Sequence, residues 1–198
     1  MTTQTRTSEL EAVNTILSTI GESPLNTLSG SLPVDGTIAK NVLSEVSREV
    51  QSQGWHFNTH YKVSLSRDTD NKIPLATNIV RVEIDPRQYS KVSYDIVQRN
   101  NFLYNLAKNE DIFDTNFKDA TAVYLLPFDE IPEQAKRYIT IRSARIFHDR
   151  TLGANTIHKF SQEDEAKSLS ILKQAESHTG DYSIFDTPEQ AYTIIRGN

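Results

Sequence analysis

Apolar residues recur every three or four positions at both ends of this chain and every second position in its middle. The first helical stripe is Leu10, Val13, Leu17 and Ile20. Ser8 with Glu11 three residues on predicts a capping box at its start. Gly21 and Pro24 predict its end, and Ser23 to Gly36 reads as a loop. A second stripe follows, with Ile38, Val42, Val46 and Val50 in line and Leu43 beside them. Asp35 or Thr37 is the expected cap, and Gly54 the expected stop.

Between Trp55 and Pro127 the period drops to two. Val63 and Leu65 alternate with polar neighbours, as do Val80, Val82 and Ile84, then Val92, Tyr94 and Ile96. Phe102 to Leu106 and Ala122 to Leu126 are two more short apolar runs. Asp85-Pro86 and Asn100-Asn101 sit where turns belong. The block predicts a small, mostly antiparallel sheet, with Glu110 to Asp119 as a loop.

Helix returns after Pro127. Pro132 is expected in a first turn, where its missing N–H costs little, and Gly153 just past the end. The apolar residues of this third helix fall on two faces: Ala135, Ile139 and Ile146 on one, Ile141, Ala144 and Phe147 on the other. A helix apolar on two sides packs between two neighbours. Ser161 with Asp164 predicts the cap of a last helix carrying Ala166, Leu169, Leu172 and Ala175, which Gly180 stops. Beyond it Tyr182, Phe185, Tyr192, Ile194 and Ile195 lack helical spacing and form a tail apolar enough to want a surface.

The expected class is α+β: a four-helix bundle core with an inserted β lobe and an extended C-terminal tail. Residues 1–55 and 129–180 make the helical core, 56–128 the lobe and 181–198 the tail.

Composition narrows the chemistry. At 198 residues the chain buries roughly 70% of its unfolded surface and needs no staples. It has no cysteine, which removes disulfides, thiolate metal sites and thiol nucleophiles. The formal charge is −5, with a pI near 5.5. An acidic chain is a poor gripper of nucleic acid but a suitable lining for a channel in which it slides. No apolar run approaches the ~20 residues of a bilayer span, and the threonine-rich start has no signal-peptide core.

The motif search finds no catalytic set, and no metal or cofactor is expected. His56 and His60 are spaced i, i+4 but follow Gly54 into a strand, so Trp55-His56-Phe57 reads as an aromatic junction. Asp68, Asp70 and Asn71 start like a calcium loop, but Lys72 and Ile73 stand where its fifth and sixth residues belong. Glu110, Asp111 and Asp114 are the candidate acids of a glycan hydrolase, and read more simply as a solvated loop. Arg142, Arg145 and Arg150 are candidates for touching DNA, and read more simply as partners of acids within or between subunits.

Three colinear segments carry a resemblance. Ala12 to Leu28 matches an A-V-N-x-I-L-x-x-I-G-E-x-P-x-x-T-L pattern. Gln51 to Asn58 matches Q-S-x-G-W-x-F-N. Asp129 to Glu133, Ala144 to Phe147 and Leu152 to Ala154 are similar to D-E-M-P-E, A-S-R-x-F and F-G-A. Together they resemble the tail tubular protein A family of short-tailed phages. The resemblance covers the helical framework, and matches the sheet and tail poorly.

It implies a virion tail protein, made in the host cytoplasm, that is a structural adaptor and not an enzyme. It implies a dodecameric ring between the portal protein and the nozzle protein (tail tubular protein B), near the tail fibre. Double-stranded DNA would pass through its channel, with no membrane insertion. A closed ring needs two different faces per subunit. Ile141, Arg142, Arg145 and Phe147 on the third helix, with Tyr182, Phe185, Tyr192, Ile194 and Ile195, are the expected contacts. Gly21, Pro24, Gly54, Trp55, Phe57, Pro132 and Gly153 are expected to shape the fold. The competing reading is an envelope-glycan hydrolase carried in the tail.

Overall fold

The computed structural model describes residues 5–85, 94–153 and 160–180. Its helices are α1 (Glu9–Leu17), α2 (Val34–Gln51), α3 (Glu133–Leu152) and α4 (Gln162–Gly180). Between α2 and α3 lie β1 (Thr59–Leu65), β2 (Ile79–Glu83), β3 (Ile96–Arg99), β4 (Phe102–Asn105) and β5 (Phe117–Tyr124). The chain is thus α+β, with small antiparallel sheets set between two helix pairs. The tail residues Tyr182, Phe185, Tyr192, Ile194 and Ile195 lie outside the described residues, as do Pro86 and Val92.

The helices share one core, and α3 is its centre. α3 packs against α1, α2 and α4, while α1 and α2 also pack on each other. The two-faced pattern of α3 underestimated its neighbours: Ala135, Tyr138, Ile139, Ile141, Ala144 and Phe147 are all buried. Both capping boxes form, Ser8 with Glu11 and Ser161 with Asp164. Gly153, the C-cap of α3, takes φ of +87°, and Gly21 and Gly54, in the turns that follow α1 and α2, take +80° and +78°, values that suit glycine.

Several details differ from expectation. α1 ends at Leu17 and buries Ala12, Val13, Ile16 and Leu17, because it faces α2 and α3 at once. α2 starts after Pro33 without a side-chain cap, so Asp35 sits in its first turn and Thr37 within it. Ile38 is exposed and Ala39 takes the inward position. Pro132 is the residue before α3, not part of its first turn. Ala166 of α4 faces solvent, while Ser168 and Glu176 face inward.

The lobe has its own core, built on Leu65, Ile73, Leu103, Phe113, Phe117 and Ala120 among others. β5 is the middle strand of a three-stranded antiparallel sheet in the order β1-β5-β2. β3 and β4 form a hairpin whose turn is Asn100-Asn101, with φ of +51° and +60°. Two left-handed residues in a two-residue loop make the hairpin turn that matches strand twist, and asparagine tolerates them. The expected loop from Glu110 ends early, because β5 already begins at Phe117.

β1 and β5 each carry an irregularity. Two residues separate His60 from Val63 on β1 where one separates their partners on β5; between Val63 and Leu65 the imbalance reverses. Lys62 (φ +59°) and Asp119 (φ +54°) mark the two bulges. They offset each other, so Leu65 and Phe117 still meet as a buried pair.

Candidate functional site

Five polar residues inside the motif segments close joints within the chain. Asn58 is fully buried at the point where α2 gives way to the lobe. Its Nδ2 donates to the carbonyls of Gln51 (2.9 Å) and Tyr124 (2.7 Å), and its Oδ1 accepts the Trp55 amide at 2.8 Å. Gln51 mirrors it. Its amide clasps both Leu126 backbone groups, accepting from N at 2.8 Å and donating to O at 3.1 Å. The indole of Trp55 donates to the Val50 carbonyl at 2.7 Å, and Trp55 and Phe57 pack on the helical core.

Helix α2, the entry to β1 and the exit from β5 are therefore one hydrogen-bonded unit. Gly54 lies in its middle. A Cβ there would stand 2.4 Å from Arg81 Nη2 and 3.2 Å from Val123 Cγ2, on a backbone that already disfavours one.

A second joint ties the N-terminus to α3. The Asp129 carboxylate accepts the Glu9 amide at 3.0 Å, at the open end of α1. Glu133 accepts both the amide and the hydroxyl of Thr7. Lys136 is 1% exposed, and its ammonium donates to the carbonyls of Thr7 (2.8 Å) and Asp129 (3.1 Å). A third joint is Asn14, whose amide clasps both backbone groups of Leu25 and fixes the loop leaving α1. Sequence reasoning missed these five clamps, Asn14, Gln51, Asn58, Asp129 and Glu133. Helical spacing held one signal: Gln51 lies four and eight positions beyond Ser47 and Leu43, on the inward face.

The basic residues of α3 hold helices together. Arg142 reaches Glu49 of α2 at 2.7 Å and Glu165 of α4 at 2.9 Å. Arg145 pairs with Glu165, and Arg150 forms a fork with both oxygens of Glu45 at 2.8 and 2.9 Å. Each arginine offered as a DNA contact is thus engaged by a carboxylate of its own chain. Ile141 (3% exposed) and Phe147 (0%) lie within the chain, so the sequence's assignment of them to a subunit surface has no free side chain to rest on.

The acids of the hydrolase reading are also engaged. Asp111 pairs with Lys72 at 2.7 Å, Glu110 approaches Lys108 at 3.6 Å, and Asp114 accepts the Tyr94 hydroxyl. The bond to Lys72 holds Asp111 below the ordinary carboxyl range, and the bond from Tyr94 does the same for Asp114. A carboxyl held ionised is unsuited to act as a general acid. His56 sits in a 3-10 turn and His60 in β1, its ring 4.5 Å from that of Tyr124, so the two do not share a helical face. Among the described residues no three His, Asp or Glu side chains gather as a metal site, and no helix is long and apolar enough to cross a membrane.

Burial, with the hydrogen bond to Asp114, pushes the Tyr94 phenol up to about 12 from its ordinary 10.0. Folding therefore favours the protonated phenol. Its contribution is complete below pH 10 and is lost as the pH rises towards 12. The lowered Asp111 and Asp114 act in the opposite sense, contributing above their ordinary 3.8 and losing that contribution as acid protonates them. The tyrosine near-ultraviolet circular dichroism signal is expected to hold steady from about pH 5 to pH 8 and to fade at both extremes. A Tyr94→Phe variant that loses structure over the same alkaline range as the parent would show that Tyr94 does not set that limit.

Among the described residues the arrangement is a set of internal joints around ionic clamps. Comparison with known proteins fits that geometry. The tail tubular protein family matches residues 10–182. This chain belongs to the tail tubular protein family. It is 27% identical over 167 residues to tail tubular protein A of Klebsiella phage KP34, across 84% of this chain and 86% of that protein. Membership makes the chain a structural component of a phage tail.

Proposed function

We propose that the chain is a head-to-tail adaptor of a short-tailed phage, twelve copies of which close a ring between portal and nozzle. Genomic DNA passes through the ring during ejection, and the outer side helps to anchor a tail fibre. The protein is made in the host cytoplasm and acts in the virion. One observation carries this reading: five polar residues of the motif segments are spent on joints inside the subunit. A ring subunit must transmit force between partners without its lobes shifting, and such joints serve that need.

In this reading residues 1–55 and 129–180 supply the four helices of a rigid bundle, and residues 56–128 a lobe set on it. The extended tail, residues 181–198, carries the partner contacts Tyr182, Phe185, Tyr192, Ile194 and Ile195. Arg142 and Arg145 keep a supporting role, orienting α2 and α4. Ile141 and Phe147 hold α3 in place beneath them. The acidic chain lines the channel without gripping DNA.

Negative-stain imaging of the purified protein mixed with portal rings tests the reading. Twelve-fold rings capping the portal are the expected result. A protein that stays monomeric beside intact portal would end it. Filter retention of double-stranded DNA should be weak at about 50 mM salt and change little at about 200 mM; steep salt dependence would indicate phosphate gripping instead.

A further inference from the structure

We propose that α4 is an exchangeable arm, and that in the assembled ring the α4 of one subunit docks on the α3 of the next. The inference rests on the ring reading and names a contact that would close it.

α1, α2 and α3 pack pairwise on one another without help from α4. They supply most of the helical core, and Leu172 is the one α4 residue among its fully buried members. The face that α4 turns inward mixes Leu169, Leu172 and Ala175 with as many polar residues. Ser168 (5% exposed) and Glu176 (9%) lie on it, and Glu165 is held by Arg142 and Arg145. The Nε atoms of both arginines are buried there without a hydrogen-bond partner. Permanent cores leave few such atoms, whereas contacts that form and part are more polar. Ile171, on the outer side of α4, is 48% exposed.

Reach is sufficient. Residues 153–161 separate α3 from α4, nine in all. Extended, they span about 30 Å, on the order of the diameter of a small domain, which brings an abutting copy within range. Exchange makes the same contacts between copies that α4 makes within one, so its net cost is small. A helix passed from each subunit to the next is a head-to-tail contact, the type that closes a ring.

The chain has no cysteine, so introduced thiols are unique. Arg142 grips both Glu49 and Glu165, which places those two positions within reach of a short bis-maleimide whenever α4 is docked. Glu49→Cys and Glu165→Cys are prepared separately, mixed, assembled into rings and cross-linked. Dimers containing one of each variant are expected, at least ten times more abundant in rings than in the unassembled mixture. Rings that yield no such dimer, while the double variant links internally in the same rings, would overturn the exchange and leave the ring standing.

A second pair tests the other end with the clamp intact. It joins Glu176→Cys to His56→Cys, beside the Phe57 amide that Glu176 accepts at 3.4 Å. It is expected to give the same dimers, and internal links alone would count against exchange. Unsubstituted protein that never forms rings would remove both the adaptor reading and this inference.

Discussion

Replacing Asn58 by alanine is expected to cost about 3–5 kcal/mol of unfolding free energy. The side chain satisfies three backbone groups at once: the Trp55 amide and the Gln51 and Tyr124 carbonyls. Alanine strands the Trp55 amide, removes a donor from the Tyr124 carbonyl and leaves the Gln51 carbonyl only the Gly54 amide at 3.1 Å, all around a position that is 0% exposed. Each stranded group costs roughly 1–3 kcal/mol, an amide more than a carbonyl, and a water entering the vacated space would recover part of it. Against a total of roughly 5–15 kcal/mol for a domain, the loss is severe.

Urea unfolding, followed by tryptophan fluorescence, measures it directly, because Trp55 is the sole tryptophan and sits in the same joint. Asn58→Asp is expected to be no better. It keeps an acceptor for Trp55 but turns an anion towards two carbonyls. A loss below about 1 kcal/mol for the alanine variant would mean that Asn58 does not hold the lobe to the helices.

Phe147→Ala should lower stability by about 3–5 kcal/mol, the usual cost of emptying a large buried aromatic site. The side chain is 0% exposed and belongs to the core shared by all four helices. The result separates two roles that the sequence alone assigned to one residue. If Phe147 is core, the variant unfolds at lower urea, and its folded fraction assembles as the parent does. Unchanged stability with lost assembly would return Phe147 to the subunit surface. Urea midpoints and light scattering on the same samples read both quantities.

The local code of this chain was legible because it acts at short range. A capping box needs only Ser8 and Glu11 one turn apart, and the positive φ just past a helix needs only Gly21, Gly54 or Gly153 in place. Alternation at Val80, Arg81, Val82, Glu83 and Ile84 likewise follows from strand geometry, with the valines half-buried and Ile84 buried. Where local rules compete, expectation slipped. Ile38 and Ala39 are both plausible inward positions for α2, and the packing of α2 on its neighbours buries the smaller one.

The candidate site was less legible. The motif segments marked the joints without saying what they join, since the partners lie far along the chain: Asn58 with Tyr124, Gln51 with Leu126, Thr7 with Glu133 and Lys136. The expectation that the arginines pair with acids was sound, but which acids depended on packing. Arg142 meets Glu49 and Glu165 because α2 and α4 both lie along α3.

By itself, then, the sequence determined the helices, the capping boxes at Ser8 and Ser161, the two periodicities, the Asn100-Asn101 turn and the family. Each of these depends on neighbours within a turn or two, or on colinear motifs. Only the tertiary structure decided that α3 is central, that Ile141 and Phe147 are interior, and that the motif amides hold the lobe to the helices. Burial and hydrogen-bond partnership are properties of pairs distant in sequence, and a one-dimensional pattern specifies which residues seek a partner without specifying the partner each finds.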